Sequence, residues 1–217
     1  MVKIERTPTA PPSLAVEKTK ASGKYNEEDV IDQLYQDFHG KCYLCGIKPP
    51  HGIEVEHLRP HKGDIDRKFD WNNLFLSCTH CNSVKNQAQY GDLILDCCVD
   101  DPEKVLTYCL ADGHVRVEPL GQNPTLEAVR TGELLTECFE LTNTGIRKKE
   151  SKIRKDALSM TMNLLYKKLL EHQQAPSDES LELLRTMLSR TYKFAGFTRA
   201  YVRANLEMYP DLADYVR

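Results

Sequence analysis

The residues able to do chemistry crowd into one stretch, Lys41 to Asn86, KCYLCGIKPPHGIEVEHLRPHKGDIDRKFDWNNLFLSCTHCNSVKN. Two Cys-x-x-Cys pairs, Cys42/Cys45 and Cys78/Cys81, bracket it. Paired thiolates at that spacing let one turn present two sulfurs to a tetrahedral Zn²⁺, so the four cysteines read as one structural zinc site tying the ends of the stretch together. A closed four-thiolate shell leaves no open position, so any reaction needs a second centre. Between the pairs stand Glu56 and His57, and directly after Cys81 stands Asn82. A carboxylate, an imidazole that titrates near neutral pH and an amide oxygen suit metal-assisted cleavage of a phosphodiester. There a base activates water on one side of phosphorus, and a hard cation stabilises charge on the phosphate and the leaving oxygen.

Positioning these groups is the task of short elements. IEVEH (53–57) alternates like a strand, and NLFLSC (73–78) is a second short apolar run. HCNSVKNQAQ after Cys78 suits a helix, and Gly63-Asp64 with the charges from Asp66 to Lys68 marks the loop between the strands. Adjacent strand residues face opposite ways, so Glu56 and His57 share a site only if the strand ends or bends there. Pro60 supports such a break.

Glu56-His57, Asn73 and Cys81-Asn82-x-x-Lys85, flanked by the Cys-x-x-Cys pairs, resemble the HNH, or ββα-metal, endonucleases. The resemblance implies His57 as general base, Glu56 as metal-binding acid, Asn73 as the middle asparagine bracing the loop, and Asn82 as second ligand of a catalytic Mg²⁺ or Mn²⁺. Glu56 stands where that family commonly has Asp. More narrowly, the proline-bearing N-terminus, FHGKC, VEHLRPHK, WNNLFLSCTHCN and DDPEKVL resemble the PtuB family, the HNH subunits of Septu-type anti-phage systems, over roughly the first half of the chain. That implies an antiviral effector cutting DNA or RNA, tRNA included. It also implies a PtuA-like ATPase of the ABC/SMC kind as partner and, in some systems, a retron reverse transcriptase with its RNA-DNA hybrid.

The expected fold is α+β and mainly helical: a proline-bearing extended arm at 1–24 outside the core, a zinc-stapled ββα core at 25–92, and a hairpin plus helical region at 93–217. EEDVIDQLYQDF reads as a helix stopped by Gly40, and LTYCLADGHVRVEP as a hairpin turning at Asp112-Gly113. Asn123-Pro124 marks a helix start, Ile146 to about His172 a long helix packing through Ile146, Ile153, Ala157, Met160, Leu164 and Tyr166, Asp178 the cap of the next, and Thr198 to Tyr209 the last.

With 217 residues and a formal charge of −3, the chain does not coat nucleic acid by bulk electrostatics. Six basic residues in RKKESKIRK (147–155) offer a local patch for a polyanion or an acidic partner, or simply a solvated face. No apolar run serves as a signal-peptide core or a membrane span, so a cytoplasmic location without membrane contact is expected, and Cys97, Cys98, Cys109 and Cys138 read as thiols acting as small buried hydrophobes. Arg59 and Lys85 read equally as phosphate donors or solvated charges, His61 as a ligand or a solvated loop residue, and His80 as a surface residue. Tyr192, Phe194, Phe197 and Tyr201, interleaved with Lys193, Arg199 and Arg203, suit base stacking or helix packing. The rival to a nuclease is a zinc-stabilised module that binds nucleic acid or protein without cutting; it needs no carboxylate, imidazole and amide beside its zinc.

Overall fold

The computed structural model describes residues 1–217. Residues 1–10 are extended, but they form part of the core: Met1, Val2 and Ile4 are buried, the Ile4 N–H donates to the Cys97 carbonyl at 2.9 Å, and the Met1 carbonyl accepts from the Tyr108 hydroxyl at 2.8 Å. The Arg6 guanidinium stacks on Trp71 at 4.3 Å and donates to the Trp71 and Leu74 carbonyls. This corrects the expectation of an arm lying outside the core. Two or three apolar residues pairing with a segment nearly a hundred positions away leave no periodic trace. α1 (Pro12–Lys18) follows, opened by a proline whose missing N–H costs nothing there.

α2 (Glu28–Asp37) buries Val30 and Leu34, with Glu28 and Asp29 in the dipole-favoured first turn. His39 (φ 55°) and Gly40 (φ 62°) end it in left-handed conformation. β1 (Ile53–His57) and β2 (Leu74–Cys78) form an antiparallel ribbon in the register Ile53↔Cys78 to His57↔Leu74. Every residue of β2 is buried, because α2 covers one face of the ribbon and α4 (Thr79–Lys85) packs against the same pair. Before it, the loop between the strands carries a single turn, α3 (Ile65–Lys68), capped by the Asp64 carboxylate on the Arg67 N–H.

β3 (Leu106–Ala111) and β4 (His114–Pro119) are joined by Asp112 (φ 52°) and Gly113 (φ 74°), the two left-handed residues of a tight hairpin turn. α5 (Leu126–Glu140) packs on β4 and starts at a Thr125 cap, one residue beyond the expected Asn123-Pro124 signal. α6 (Gly145–Gln174) has the expected span but not the expected face. Ser151, Arg154, Leu158, Met162, Leu165, Leu169 and His172 are inside, whereas Ile146 and Met160 are 78% and 73% exposed. Two of the buried polar groups are satisfied by partners from other elements: Ser151 donates to the Leu141 carbonyl at 2.8 Å, and His172 bridges Ser180 at 2.5 Å and Asp211 at 2.7 Å. α7 (Asp178–Met187) is capped by Ser177 rather than Asp178, in a reciprocal box with Ser180. α8 (Ala195–Ala204) starts earlier and stops sooner than expected, and α9 (Ala213–Val216) closes the chain. Arg199 and Arg203 converge with Arg190 on the buried Glu103 carboxylate, and Phe194 and Phe197 are buried against Phe139, so these two aromatics serve packing and not base stacking. No helix is long and apolar enough to cross a membrane.

Candidate active site and metal centre

The Sγ atoms of Cys42, Cys45, Cys78 and Cys81 lie within 4.8 Å of one another, and all four residues are buried. The first pair sits on a turn in which the Gly46 N–H returns to the Cys42 carbonyl at 2.9 Å. Gly46 has φ 76°, and an added Cβ would stand 3.2 Å from the Phe194 backbone, so this turn admits only glycine easily. The second pair straddles the junction of β2 and α4, with Cys78 as the cap residue. Four thiolates around Zn²⁺ carry a net charge of about −2, which is costly in a dry interior. Arg154 of α6, whose side chain is 0% exposed, reaches Cys78 Sγ at 3.3 Å through Nη2 and Glu150 through Nη1 at 2.8 Å. The donors therefore suit a structural zinc, with a built-in counter-charge from the far end of the chain.

His80, expected at the surface, is buried, and its Nε2 meets the Cys138 carbonyl at 3.1 Å, joining α4 to α5. Cys97 and Cys138 are buried as expected, while Cys98 is half-buried and Cys109 exposed.

A cleft of about 580 Å³ opens on the other side of α4, lined among others by Tyr25, Glu56, His57, His61, Asn82 and Lys85. His57 is the last residue of β1, so the strand ends where a break was required. Its ring lies edge-on to Tyr25, centroids 4.4 Å apart, and its Nε2 is 3.0 Å from the Lys68 carbonyl. A carbonyl only accepts; Nε2 therefore holds the proton and Nδ1 keeps a lone pair. Burial pushes the His57 imidazole below its ordinary value, with the Lys68 hydrogen bond opposing and the charges of His61, Lys85 and Lys68 adding to the fall. It is thus a neutral base near pH 7.

Asn73 is buried and closes the loop between the strands: its Oδ1 accepts from the Arg59 N–H at 2.7 Å, and its Nδ2 donates to the Arg59 and Arg67 carbonyls at 2.9 and 3.2 Å. Asn82, on α4, is half-buried, and its Oδ1 takes only a long 3.4 Å contact from Asn86.

Glu56 is buried, with Oε2 accepting from the Tyr43 hydroxyl at 2.8 Å and Oε1 2.6 Å from Lys85 Nζ. Lys85 is itself buried and donates to the His57 carbonyl at 3.0 Å. It is neither a phosphate donor nor a solvated charge; it is the internal counter-ion of Glu56. Burial raises the Glu56 carboxyl, against the lowering effect of Lys85 and Tyr43. Both carboxylate oxygens are thus committed inside the fold, Oε2 to the Tyr43 hydroxyl and the buried Oε1 to the Lys85 ammonium. Of the two groups expected to hold a divalent ion, Asn82 offers a nearly free amide oxygen at the cleft, whereas Glu56 reaches a cation only if Lys85 gives way. Arg59 donates through its guanidinium to the Asp92 carbonyl, away from a free phosphate-binding role. Tyr43 and Arg154 escaped the sequence reading: Tyr43 is the first residue between paired cysteines, and Arg154 sits in a basic run that looks solvated.

Removing the Lys85 charge should be expensive because it strands a buried carboxylate. Lys85→Met is expected to lower stability by about 3 kcal/mol, measured by urea unfolding, whereas Glu56→Gln/Lys85→Met together should recover part of that loss. A double-variant loss equal to the sum of the losses in Glu56→Gln and Lys85→Met would show that the pair is not coupled.

Residues 42–88 match the family model described as HNH endonuclease. Over 201 residues the chain is 25% identical to the Septu protein PtuB of Bacillus mycoides (strain KBAB4), a similarity that covers 75% of this chain and 65% of that protein. The stretch that holds the cysteine cluster, both strands and α4 is therefore similar to HNH endonuclease domains, and the remainder of the chain shares one core with it.

Proposed function

We propose that this chain is a metal-dependent HNH endonuclease that hydrolyses phosphodiester bonds in DNA or RNA as the effector subunit of a Septu-type antiviral complex. The observation that carries the reading is His57: a neutral imidazole, held by the Lys68 carbonyl with its second nitrogen free, in a cleft shared with Glu56 and Asn82. A non-cutting binding module has no need of that arrangement. His57 Nδ1 takes a proton from water as the water attacks phosphorus. Asn73 keeps the loop closed so that His57 and the cleft wall hold their relative positions. Asn82, together with Glu56 once it is released from Lys85, would hold a Mg²⁺ or Mn²⁺, which when bound would supply Lewis-acid stabilisation of the charge that develops on the phosphate. The four cysteines hold the frame and take no part in the reaction.

The partner implied by this reading is a PtuA-like ATPase of the ABC/SMC kind, joined in some assemblies by a retron reverse transcriptase and its RNA-DNA hybrid. A chain of net charge −3 neutralises few phosphates by itself, and affinity for a polyanion scales with the number neutralised. Docking falls to the helical region, where Ile146, Ile153, Met160 and Leu164 form an exposed apolar line along α6. Met1 to Ile4 are unsuited to it because they are built into the core. The test is to co-purify the chain with its genomic neighbours and to assay DNA and RNA side by side, with and without ATP. The complex is expected to cut at least roughly tenfold faster than the isolated chain at physiological salt. Full activity of the isolated chain would refute partner dependence, and no cleavage by any assembly would refute the nuclease reading.

A further inference from the structure

His61 lines the cleft but has no part in the chemistry above. Its ring centroid is 4.9 Å from that of His57. The chain beyond it takes two successive left-handed residues, Lys62 (φ 48°) and Gly63 (φ 89°). A lysine in that conformation costs on the order of 1 kcal/mol, so the turn is held against local preference. Its result is specific: the Gly63 N–H donates to His61 Nδ1 at 3.2 Å, and the Asp64 N–H donates to the His61 carbonyl at 2.8 Å. An amide N–H only donates, which makes Nδ1 the acceptor and places the proton of the neutral ring on Nε2. His57 is the complement, since its Nε2–H is given to the Lys68 carbonyl and its lone pair is the free function. Two neighbouring rings therefore offer the cleft opposite functions, one an acceptor and the other a donor.

We infer that His61 is a fixed hydrogen-bond donor to the scissile phosphate, its Nε2–H meeting a non-bridging oxygen while His57 Nδ1 receives the proton of the attacking water. The inference rests on the nuclease reading and adds to it a residue in contact with substrate. Negative charge grows on the phosphate oxygens as the new bond forms, and a donor oriented in advance stabilises that charge without reorganising. The balance is complete: the bond from phosphorus to the water oxygen forms, the bond to the leaving oxygen breaks, the water proton passes to His57 Nδ1, and the leaving oxygen is protonated by solvent. His61 keeps its proton throughout. The same tautomer argues against His61 as a metal ligand, because coordination through Nε2 would need the proton on Nδ1, where the Gly63 N–H already sits. Of the neighbouring cations, Lys85 is committed to Glu56, and Lys62, largely exposed in a long 3.5 Å pair with Asp92, is not held in a fixed orientation as the His61 ring is.

Two measurements test this. In the isolated chain, imidazole nitrogen shifts from ¹⁵N-histidine NMR should show His61 in the Nε2–H tautomer; an Nδ1–H tautomer overturns the inference. In the assembled complex, His61→Ala should slow single-turnover cleavage by roughly 10- to 100-fold, with His61→Gln, which retains an N–H donor, falling between the two. The Mg²⁺ concentration giving half-maximal rate should be the same for wild type and His61→Ala. A marked rise in that concentration would make His61 a metal ligand and overturn the donor role. A wild-type complex that cuts while His61→Ala cuts equally well overturns this inference alone. A wild-type complex that cuts nothing overturns the nuclease reading, and this inference with it.

Discussion

His57→Ala should reduce cleavage by the assembled complex roughly 1,000-fold, the scale of losing a positioned general base, while leaving zinc content and partner binding unchanged. The variant removes a half-buried ring at the end of β1 and touches no cysteine of the zinc cluster. The pH profile of the wild type carries the same information with a defined sign. Cleavage needs the neutral imidazole, and burial places the His57 pKa below its ordinary 6.5. Activity should therefore hold its plateau as pH falls through 6.5 and decline only below it. At lower pH the protonated ring can no longer accept a proton from water, and rate falls by up to tenfold per pH unit. A complex in which His57→Ala cuts at the parental rate, or a wild-type profile that declines above 6.5 with the same slope, would remove His57 from the base position.

Zinc removal is expected to have the largest effect on stability. Metal analysis should find one Zn²⁺ per chain, and Cys42→Ser/Cys78→Ser should find none. Apparent binding free energies of structural zinc are on the order of 10 kcal/mol, comparable with the whole stability of a domain, so the apo chain should lose cooperative unfolding of the ββα region. Arg154→Met should shed zinc to a chromogenic chelator about tenfold faster than wild type, with Arg154→Lys intermediate, because loss of an outer partner weakens metal sites by that order. The readout is metal transfer, which needs no substrate. Zinc retained in full by the double cysteine variant would break the assignment, and unchanged transfer by Arg154→Met would reduce Arg154 to a packing role.

Much of the site's frame was legible because its signals are local. A Cys-x-x-Cys pair is one turn, five alternating residues are one strand, and Asp112-Gly113 is one turn conformation. The chain adopts β1 with the expected bounds, Ile53–His57, starts β2 one residue later, at Leu74–Cys78, and carries both hairpin strands one residue closer to the turn, to Ala111 and from His114. Glu56, His57 and Asn82 were found as residue types at a spacing, and the break at His57 followed from a proline three residues on.

The errors came where burial does not follow hydrophobicity. On α6 the apolar residues Ile146, Ile153, Met160 and Leu164 pointed to one face, yet the face inside carries Ser151, Arg154 and His172. Periodicity detects a buried face by its apolar residues, and it fails when distant groups satisfy buried polar ones. The N-terminal residues failed for the matching reason: Val2 and Ile4 are too few to set a pattern, and their partners lie near Cys97 and Tyr108.

From its sequence alone this protein declared a cysteine-stapled ββα unit and the residue types of the proposed phosphodiester-cleaving centre. Only the tertiary structure decided which charges that centre can use. Lys85 was open to two readings until Glu56 was seen beside it in a dry interior, and Arg154 looked like one solvated charge among six until Cys78 was seen at its guanidinium. A charge is committed by the partner that desolvates it, and both decisions were made by chain segments brought together across 29 and 76 positions.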